Sequence, residues 1–214
     1  MDKKRILCFG DSNTWRYIPN TKYLRFSEDI RFTRILQSLL GNDYEVIEEG
    51  LNSRTLISKD PRPKKEFREG YTHIIPCLDT HDPIDIVVLM LGTNELKEMY
   101  NITPTEIGSL LEKHFVKVIL ARKSQFQDSY PKLIIISPPL VDESKTDLDK
   151  FYVGAEERSK HLAKVYSDIA ERNNCSFIAG SSLLVGDDGV HLLEQSHKEL
   201  AKLIFEKIQN IYNI

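Results

Sequence analysis

The stretch Ile84-Asp85-Ile86-Val87-Val88-Leu89-Met90-Leu91 is the most apolar run in the chain, and it leaves few folds open. A strand with one wet face alternates apolar and polar side chains. A near-continuous apolar run bounded by turn residues is covered on both faces, as the central strand of a parallel sheet is. This run stops at Gly92-Thr93-Asn94-Glu95. Similar short runs are Ile6 to Phe9, stopping at Gly10-Asp11-Ser12, Leu133 to Ile136, stopping at Ser137-Pro138-Pro139, and Cys175 to Ile178. Tyr44 to Ile47, closed by Glu48-Glu49-Gly50, is a further short strand.

Helical spacing fills the intervals. A helix is predicted to start at Ser27-Glu28-Asp29, to carry Ile30, Ile35, Leu36, Leu39 and Leu40, and to end at Gly41-Asn42. Thr103-Pro104-Thr105-Glu106 is a capping-box start for a helix whose apolar face runs from Ile107 to Ile119. Leu162, Val165, Tyr166, Ile169 and Ala170 mark another, and Leu200, Leu203, Ile204 and Ile208 the last. Trp15 to Ser27 reads as irregular, and Leu51 to Tyr71 and Val141 to Tyr152 as long polar loops. Strands alternating with helices, with no linker or repeat, predict one three-layer α/β/α domain over residues 1–214 with a parallel sheet and right-handed crossovers. The polar breaks after successive strands then gather on one edge of that sheet, where open α/β sheets bind ligands.

The bulk numbers exclude several function classes. A net charge of −3 gives no electrostatic footprint for nucleic acid. The clearest basic cluster, Arg62, Lys64 and Lys65, lies beside Pro61 and Pro63 and reads as a solvated loop. The apolar run after Lys3-Lys4-Arg5 is too short for a signal peptide, and no stretch is long enough to cross a bilayer. Cys8, Cys77 and Cys175 are odd in number and widely spaced, so a reducing, cytoplasmic setting is expected, with Cys8 and Cys175 as small buried hydrophobes.

Ser12, at the end of the first strand, is the candidate nucleophile; Asp11, Ser12 and Thr14 also suit a simple capped turn. A serine hydroxyl needs a base, and the base needs an orienting acceptor. Asp188 and His191 supply both in one Asp-x-x-His loop, with Asp187 as second choice for the acceptor. His191 alone also reads as a surface histidine. His197, on the last helix, reads as solvated. A metal set of Asp187, Asp188, His191 and His197 matches no familiar zinc spacing. For an oxyanion, Asn94 offers an amide, Gly50 to Thr55 backbone N–H groups, and Ser12 its own N–H. Asn94 equally suits a turn.

Together, Gly10-Asp11-Ser12, Gly92-Thr93-Asn94 and Asp188-Gly189-Val190-His191 resemble blocks of the SGNH (GDSL) hydrolase superfamily. The resemblance implies a flavodoxin-like five-stranded sheet of order 2-1-3-4-5, with Ser12 as nucleophile, His191 as base, Asp188 as its orienter and Asn94 at the oxyanion. The family's second block, Asn-x-Gly-x-Ser-Gly-x-Thr, reads here Glu48-Glu49-Gly50-Leu51-Asn52-Ser53-Arg54-Thr55. Its donor glycine falls on Ser53, with Gly50 as the alternative. Arg5 to Ser12, Val46 to Leu51, Met90 to Asn94 and Ser137-Pro138-Pro139 narrow the likeness to the aryl-esterase/acyltransferase branch.

The expectation is a serine esterase acting on short-chain acyl esters, with acyl transfer to alcohols as a further capacity. Sugar deacetylation and thioester cleavage suit the same triad. The substrate is a small-molecule ester; no metal, cofactor, nucleic acid or membrane is expected, and a homo-oligomer is compatible. Trp15 and Thr93 are expected to shape the substrate pocket. The rival from another class is a flavodoxin-like binding module with Ser12, Asn13 and Thr14 cradling a phosphate.

Overall fold

A computed structural model describes residues 3–145 and 149–213, with only the backbone of Asp149 and Lys150. Residues 146–148 of the loop expected from Val141 to Tyr152 lie outside the described residues. Five parallel strands form one sheet: β1 (Lys4–Gly10), β2 (Tyr44–Gly50), β3 (Ile86–Met90), β4 (Lys132–Ile136) and β5 (Ser176–Ile178), in the order β2-β1-β3-β4-β5. Gly10 pairs with both Gly50 and Met90, and Met90 with Ile136. The ends of four strands therefore lie level, and the loops that follow them start from one edge.

The period of two along each strand divides the core. Leu7, Phe9, Val87, Leu89, Leu133 and Ile135 face one layer; Ile6, Cys8, Ile86, Val88, Met90, Ile134 and Ile136 face the other. The first layer contains α3 (Ile74–Thr80), α4 (Pro104–Leu111), α5 (Lys117–Leu120) and α7 (Ala155–Arg172), and the second α2 (Phe32–Leu40) and α8 (Glu194–Tyr212). Burial on both faces is why β1, β3 and β4 read as unbroken apolar runs. No helix among the described residues is long and apolar enough to cross a membrane.

Helix boundaries depart from expectation in three places. The helix expected from Ser27 begins at Phe32, because Ser27 closes a turn, its carbonyl accepting from the N–H groups of Ile30 and Arg31. The helix after the first strand, α1 (Ser12–Trp15), is one turn long, ended by Arg16 in the left-handed region at φ 72°. The expected capping box at Thr103 is formed, but its helix passes through a π-helical segment, Glu112–Val116, before α5. Short α6 (Asp149–Tyr152) precedes α7.

The two glutamates at the end of β2 anchor opposite layers, as alternating strand residues must. Glu48 pairs with Arg16 at 2.6 Å, Arg34 at 3.1 Å and Arg31 at 3.3 Å, tying the Trp15 to Ser27 segment and α2 to the sheet edge. Glu49 faces His81 at 3.1 Å and His73 at 3.5 Å, at the two ends of α3. Cys8 and Cys77 are buried, whereas Cys175 is only half-buried.

Candidate active site

Ser12 reaches the sheet edge because two glycines let α1 sit directly on the strand ends. A Cβ on Gly10 would lie 2.0 Å from Thr14 Oγ1 and 2.6 Å from the Met90 carbonyl. One on Gly50 would lie 2.2 Å from the Trp15 nitrogen. Neither position tolerates a side chain without moving α1. Asp11 caps the turn, its Oδ1 accepting from Asn13 N–H at 2.9 Å. Burial holds the Asp11 carboxyl above the ordinary carboxylate range, against the Asn13 N–H and the Thr93 hydroxyl.

His191, the candidate base, arrives from the loop before α8, 179 positions from Ser12. His191 Nε2 lies 2.9 Å from Ser12 Oγ, and His191 Nδ1 lies 2.7 Å from Asp188 Oδ2. Asp188 Oδ1 also accepts the backbone N–H groups of His191 at 2.9 Å and Val190 at 3.1 Å. Burial alone would raise the Asp188 pKa. The bond from the His191 ring, its charge and the two N–H groups outweigh burial and hold it below the ordinary value. Gly189 supplies the left-handed residue of this turn at φ 69°, and the loop closes through the bridge Val185–Leu192. Asp187 is exposed and plays no part in the triad geometry.

Asn13 holds this loop against α1. Its Nδ2 donates to the Val190 carbonyl at 3.3 Å, and its Oδ1 accepts from Leu192 N–H at 2.9 Å. These bonds flank His191 on both sides. From the sequence alone Asn13 suits only a phosphate cradle. With its amide committed inward, and α1 a single turn, the binding-module rival loses its anion site.

The proposed oxyanion donors lie on neighbouring strand ends. Asn94, 3% exposed, follows β3; its Nδ2 donates to the Arg54 carbonyl at 2.9 Å and its Oδ1 accepts from Lys97 Nζ at 2.6 Å. Ser53 lines the cleft and holds φ 64°, the left-handed conformation a glycine would take without cost. Gly50, the alternative, ends β2 against Trp15 and is not among the cleft residues; its small size serves the close approach of α1. Glu95 Oε1 accepts the Leu56 N–H, so the loops after β2 and β3 are joined at two points.

A cleft of about 240 Å³ opens over Ser12, Ser53, Asn94 and His191. Its walls include Tyr17, whose ring centroid is 4.5 Å from that of His191, and Tyr23, Phe151 and Tyr152. Trp15 and Thr93 do not line it: Arg25 lies over the Trp15 ring at 5.4 Å, and Thr93 is buried beside Asp11. The basic cluster departs from a solvated loop at two of its three residues, with Lys64 exposed as expected. Arg62 and Lys65 line the cleft, Arg62 bonded to the buried Asp60 carboxylate at 2.8 Å and Lys65 donating to the Tyr23 hydroxyl at 2.9 Å. A buried carboxylate two residues before Arg62 is what draws this loop inward.

His197 is fully buried rather than solvated, stacked 6.0 Å from Phe32, and burial pushes its pKa down to about 3. It is packed in the α2–α8 layer and takes no part in a metal set with His191. Among the described residues, Glu49, His73 and Cys77 bring three donor atoms within 4.8 Å of one another. The Arg54 guanidinium stands 4.0 Å from Glu49, and burial pushes the Cys77 thiol up to about 12. That chemistry suits a hydrogen-bonded anchor for α3 better than a cation.

The model of the GDSL-like lipase/acylhydrolase family matches residues 8–198. Three solved structures are similar over nearly the whole chain. A carbohydrate acetylesterase from Sinorhizobium meliloti is 31% identical, with 98% of this chain and 100% of that one covered and a TM-score of 0.88. The inhibitor-bound M. smegmatis aryl esterase is 34% identical, with 97% and 99% covered and a TM-score of 0.87. A carbohydrate acetylesterase family member from Sinorhizobium meliloti is 30% identical, with 99% and 100% covered and a TM-score of 0.90. Among curated proteins, none matches.

Proposed function

The chain belongs to the GDSL-like lipase/acylhydrolase family, and from that premise and the geometry of its cleft we propose that it hydrolyses short-chain acyl esters through an acyl-enzyme. It is an SGNH-type serine carboxylic ester hydrolase. One observation carries the reading of its residues: the unbroken line Ser12 Oγ, His191 Nε2, His191 Nδ1, Asp188 Oδ2, with steps of 2.9 and 2.7 Å.

Ser12 Oγ attacks the ester carbonyl while His191 Nε2 takes its proton. Asp188 holds the ring in the tautomer that leaves Nε2 free to accept, and stabilises the imidazolium that forms. The tetrahedral oxyanion is held by the N–H groups of Ser12 and Ser53 and the Asn94 amide. His191 then returns the proton to the departing alkoxide, leaving the acyl group on Ser12 Oγ. Water, deprotonated by His191, attacks the acyl-enzyme and releases the acid. An alcohol in place of water gives acyl transfer, and the aromatic walls at Tyr17, Tyr23 and Phe151 favour an apolar acceptor. A cleft of about 240 Å³ suits short acyl groups.

The same walls, with Asn20, Thr21 and Asn52 among the lining residues, also favour an acetylated sugar as substrate. Aromatic faces and short polar side chains are the ordinary partners of a carbohydrate. Turnover of p-nitrophenyl esters of increasing acyl length, beside acetylated sugars, separates the two. Ser12→Ala tests the common reading. It is expected to abolish p-nitrophenyl acetate hydrolysis and the fluorophosphonate adduct seen by intact mass. Undiminished turnover overturns it.

A further inference from the structure

Lys97 follows the turn that carries Asn94; its side chain stands in the wall of the cleft and is only 3% exposed. Among the described residues its ammonium has one hydrogen-bond acceptor, Asn94 Oδ1 at 2.6 Å. Burying a lysine away from a carboxylate partner is costly, so this placement calls for a reason.

The reason lies in the symmetry of a carboxamide. Its oxygen and nitrogen ends are nearly equal in size, and only hydrogen bonding decides which end faces the cleft. At Asn94 both ends are specified. Nδ2 gives one proton to the Arg54 carbonyl at 2.9 Å, and Oδ1 receives the ammonium. A flipped amide would set the Lys97 ammonium against an N–H₂ group and the Arg54 carbonyl against an oxygen. The second Nδ2 proton is thereby kept for the cleft.

Resting on the proposed esterase mechanism, we infer that Lys97 is a positioning residue. It locks the Asn94 amide with its N–H toward the oxyanion and, by charge on the amide oxygen, strengthens that N–H as a donor. A charge-assisted bond in a water-poor site polarises the amide before the oxyanion forms. The nascent negative charge in turn favours the charged form of Lys97. The group acts through Asn94 and does not itself take part in the bond changes.

The charged groups around Lys97 make this contribution sensitive to pH. Burial, reinforced by Arg62, lowers its pKa to about 7, against the raising effect of Asp60 and, where they are ionised, of Glu95 and Asp11. The Tyr152 ring, 5.9 Å away, covers it from α6. Loss of the proton above neutrality weakens the donor at Asn94, so kcat should fall on an alkaline limb.

The experiment is a double-mutant cycle of Lys97→Met and Asn94→Ala, read as kcat, KM and pH profile with p-nitrophenyl acetate. Met matches the length of the lysine stem and removes a buried charge, so the fold is expected to survive; Lys97→Gln, which keeps an uncharged N–H donor, is the second variant. In the wild-type background Lys97→Met should lower kcat by about 10- to 100-fold, less than the loss of a whole oxyanion donor. KM should change by less than about threefold, as fits an interaction made in the transition state. The alkaline limb should disappear in both variants, with Lys97→Gln intermediate in kcat. In the Asn94→Ala background Lys97→Met should change kcat by less than about twofold, since the two act as a unit. Equal losses in both backgrounds, a raised KM at unchanged kcat, or an alkaline limb that persists without Lys97 would overturn the inference. If Asn94→Ala alone leaves kcat intact, the oxyanion assignment has failed instead, and the role of Lys97 falls with it.

Discussion

Asn13 Oδ1 accepts the backbone N–H of Leu192 at 2.9 Å, so the residue after the proposed nucleophile grips the residue after the proposed base. With the second bond, from Asn13 Nδ2 to the Val190 carbonyl, this fixes how far His191 stands from Ser12. Ser12 and His191 stand 179 positions apart in sequence, and the amide of Asn13 ties the two backbone segments that carry them.

Asn13→Ala should therefore cost activity as well as stability. It leaves the buried Leu192 N–H without its acceptor, a penalty of about 1–3 kcal/mol. Chemical denaturation should show that loss. With Ser12 and His191 both present, kcat should still drop by about tenfold, on the view that small misplacements of a catalytic group are expensive. An unchanged kcat in a destabilised protein would assign Asn13 to folding alone.

Asn94→Ala should lower kcat by about 10²–10³-fold, the ordinary cost of one oxyanion donor, with little change in KM. Because Asn94 Nδ2 also bonds the Arg54 carbonyl, thermal denaturation should show a lower Tm. Steady-state kinetics with p-nitrophenyl acetate distinguishes the two effects.

Ser53 gives a test of backbone against side chain. At φ 64° a non-glycine residue carries roughly 1 kcal/mol of strain. Ser53→Gly removes it but adds a similar entropy to the unfolded chain. The melting temperature should thus barely move. If the donor is the Ser53 N–H, kcat should stay within about threefold of wild type, because a backbone donor survives loss of the side chain. A collapse of kcat would show that the hydroxyl, which accepts from Arg62 at 3.4 Å, is needed.

Glu95 should make stability fall as pH rises. Burial raises its pKa from the ordinary 4.5 to about 8, against the Leu56 N–H. In the folded state it stays protonated up to that value, whereas in the unfolded chain it ionises above 4.5. Between those limits the unfolded state releases a proton that the folded state keeps, so unfolding is increasingly favoured. Glu95→Gln retains an acceptor for Leu56 and does not ionise. Its Tm should decline less than that of wild type between about pH 5 and pH 8. Parallel curves for the two proteins would mean that Glu95 is ionised in the fold.

What the chain determined by itself was the sheet and the candidates for its triad. Continuous apolar runs ending at glycine or turn residues placed β1, β3 and β4 within a few residues, because burial on both faces leaves a local, unbroken mark in sequence. The spacing of Asp188 and His191 was legible for the same reason: one short turn brings an aspartate to a histidine three residues on. Tertiary structure alone decided the rest. That Asn13 would join the machinery, that Trp15 would turn from the cleft while Tyr17 entered it, and that Arg62 and Lys65 would leave solvent for its wall depends on partners far away in sequence. Likewise His197 reads as a solvated helix residue until Phe32 stacks on it. Ser53 stands between the two cases. Its motif offers it as a candidate donor, but only the folded loop, fixed at Asn94 and Glu95, holds a serine in a conformation that its own side chain disfavours. Hydrophobic periodicity encodes which surface is buried, whereas the aim of a polar side chain is set by whatever the fold brings within hydrogen-bonding reach.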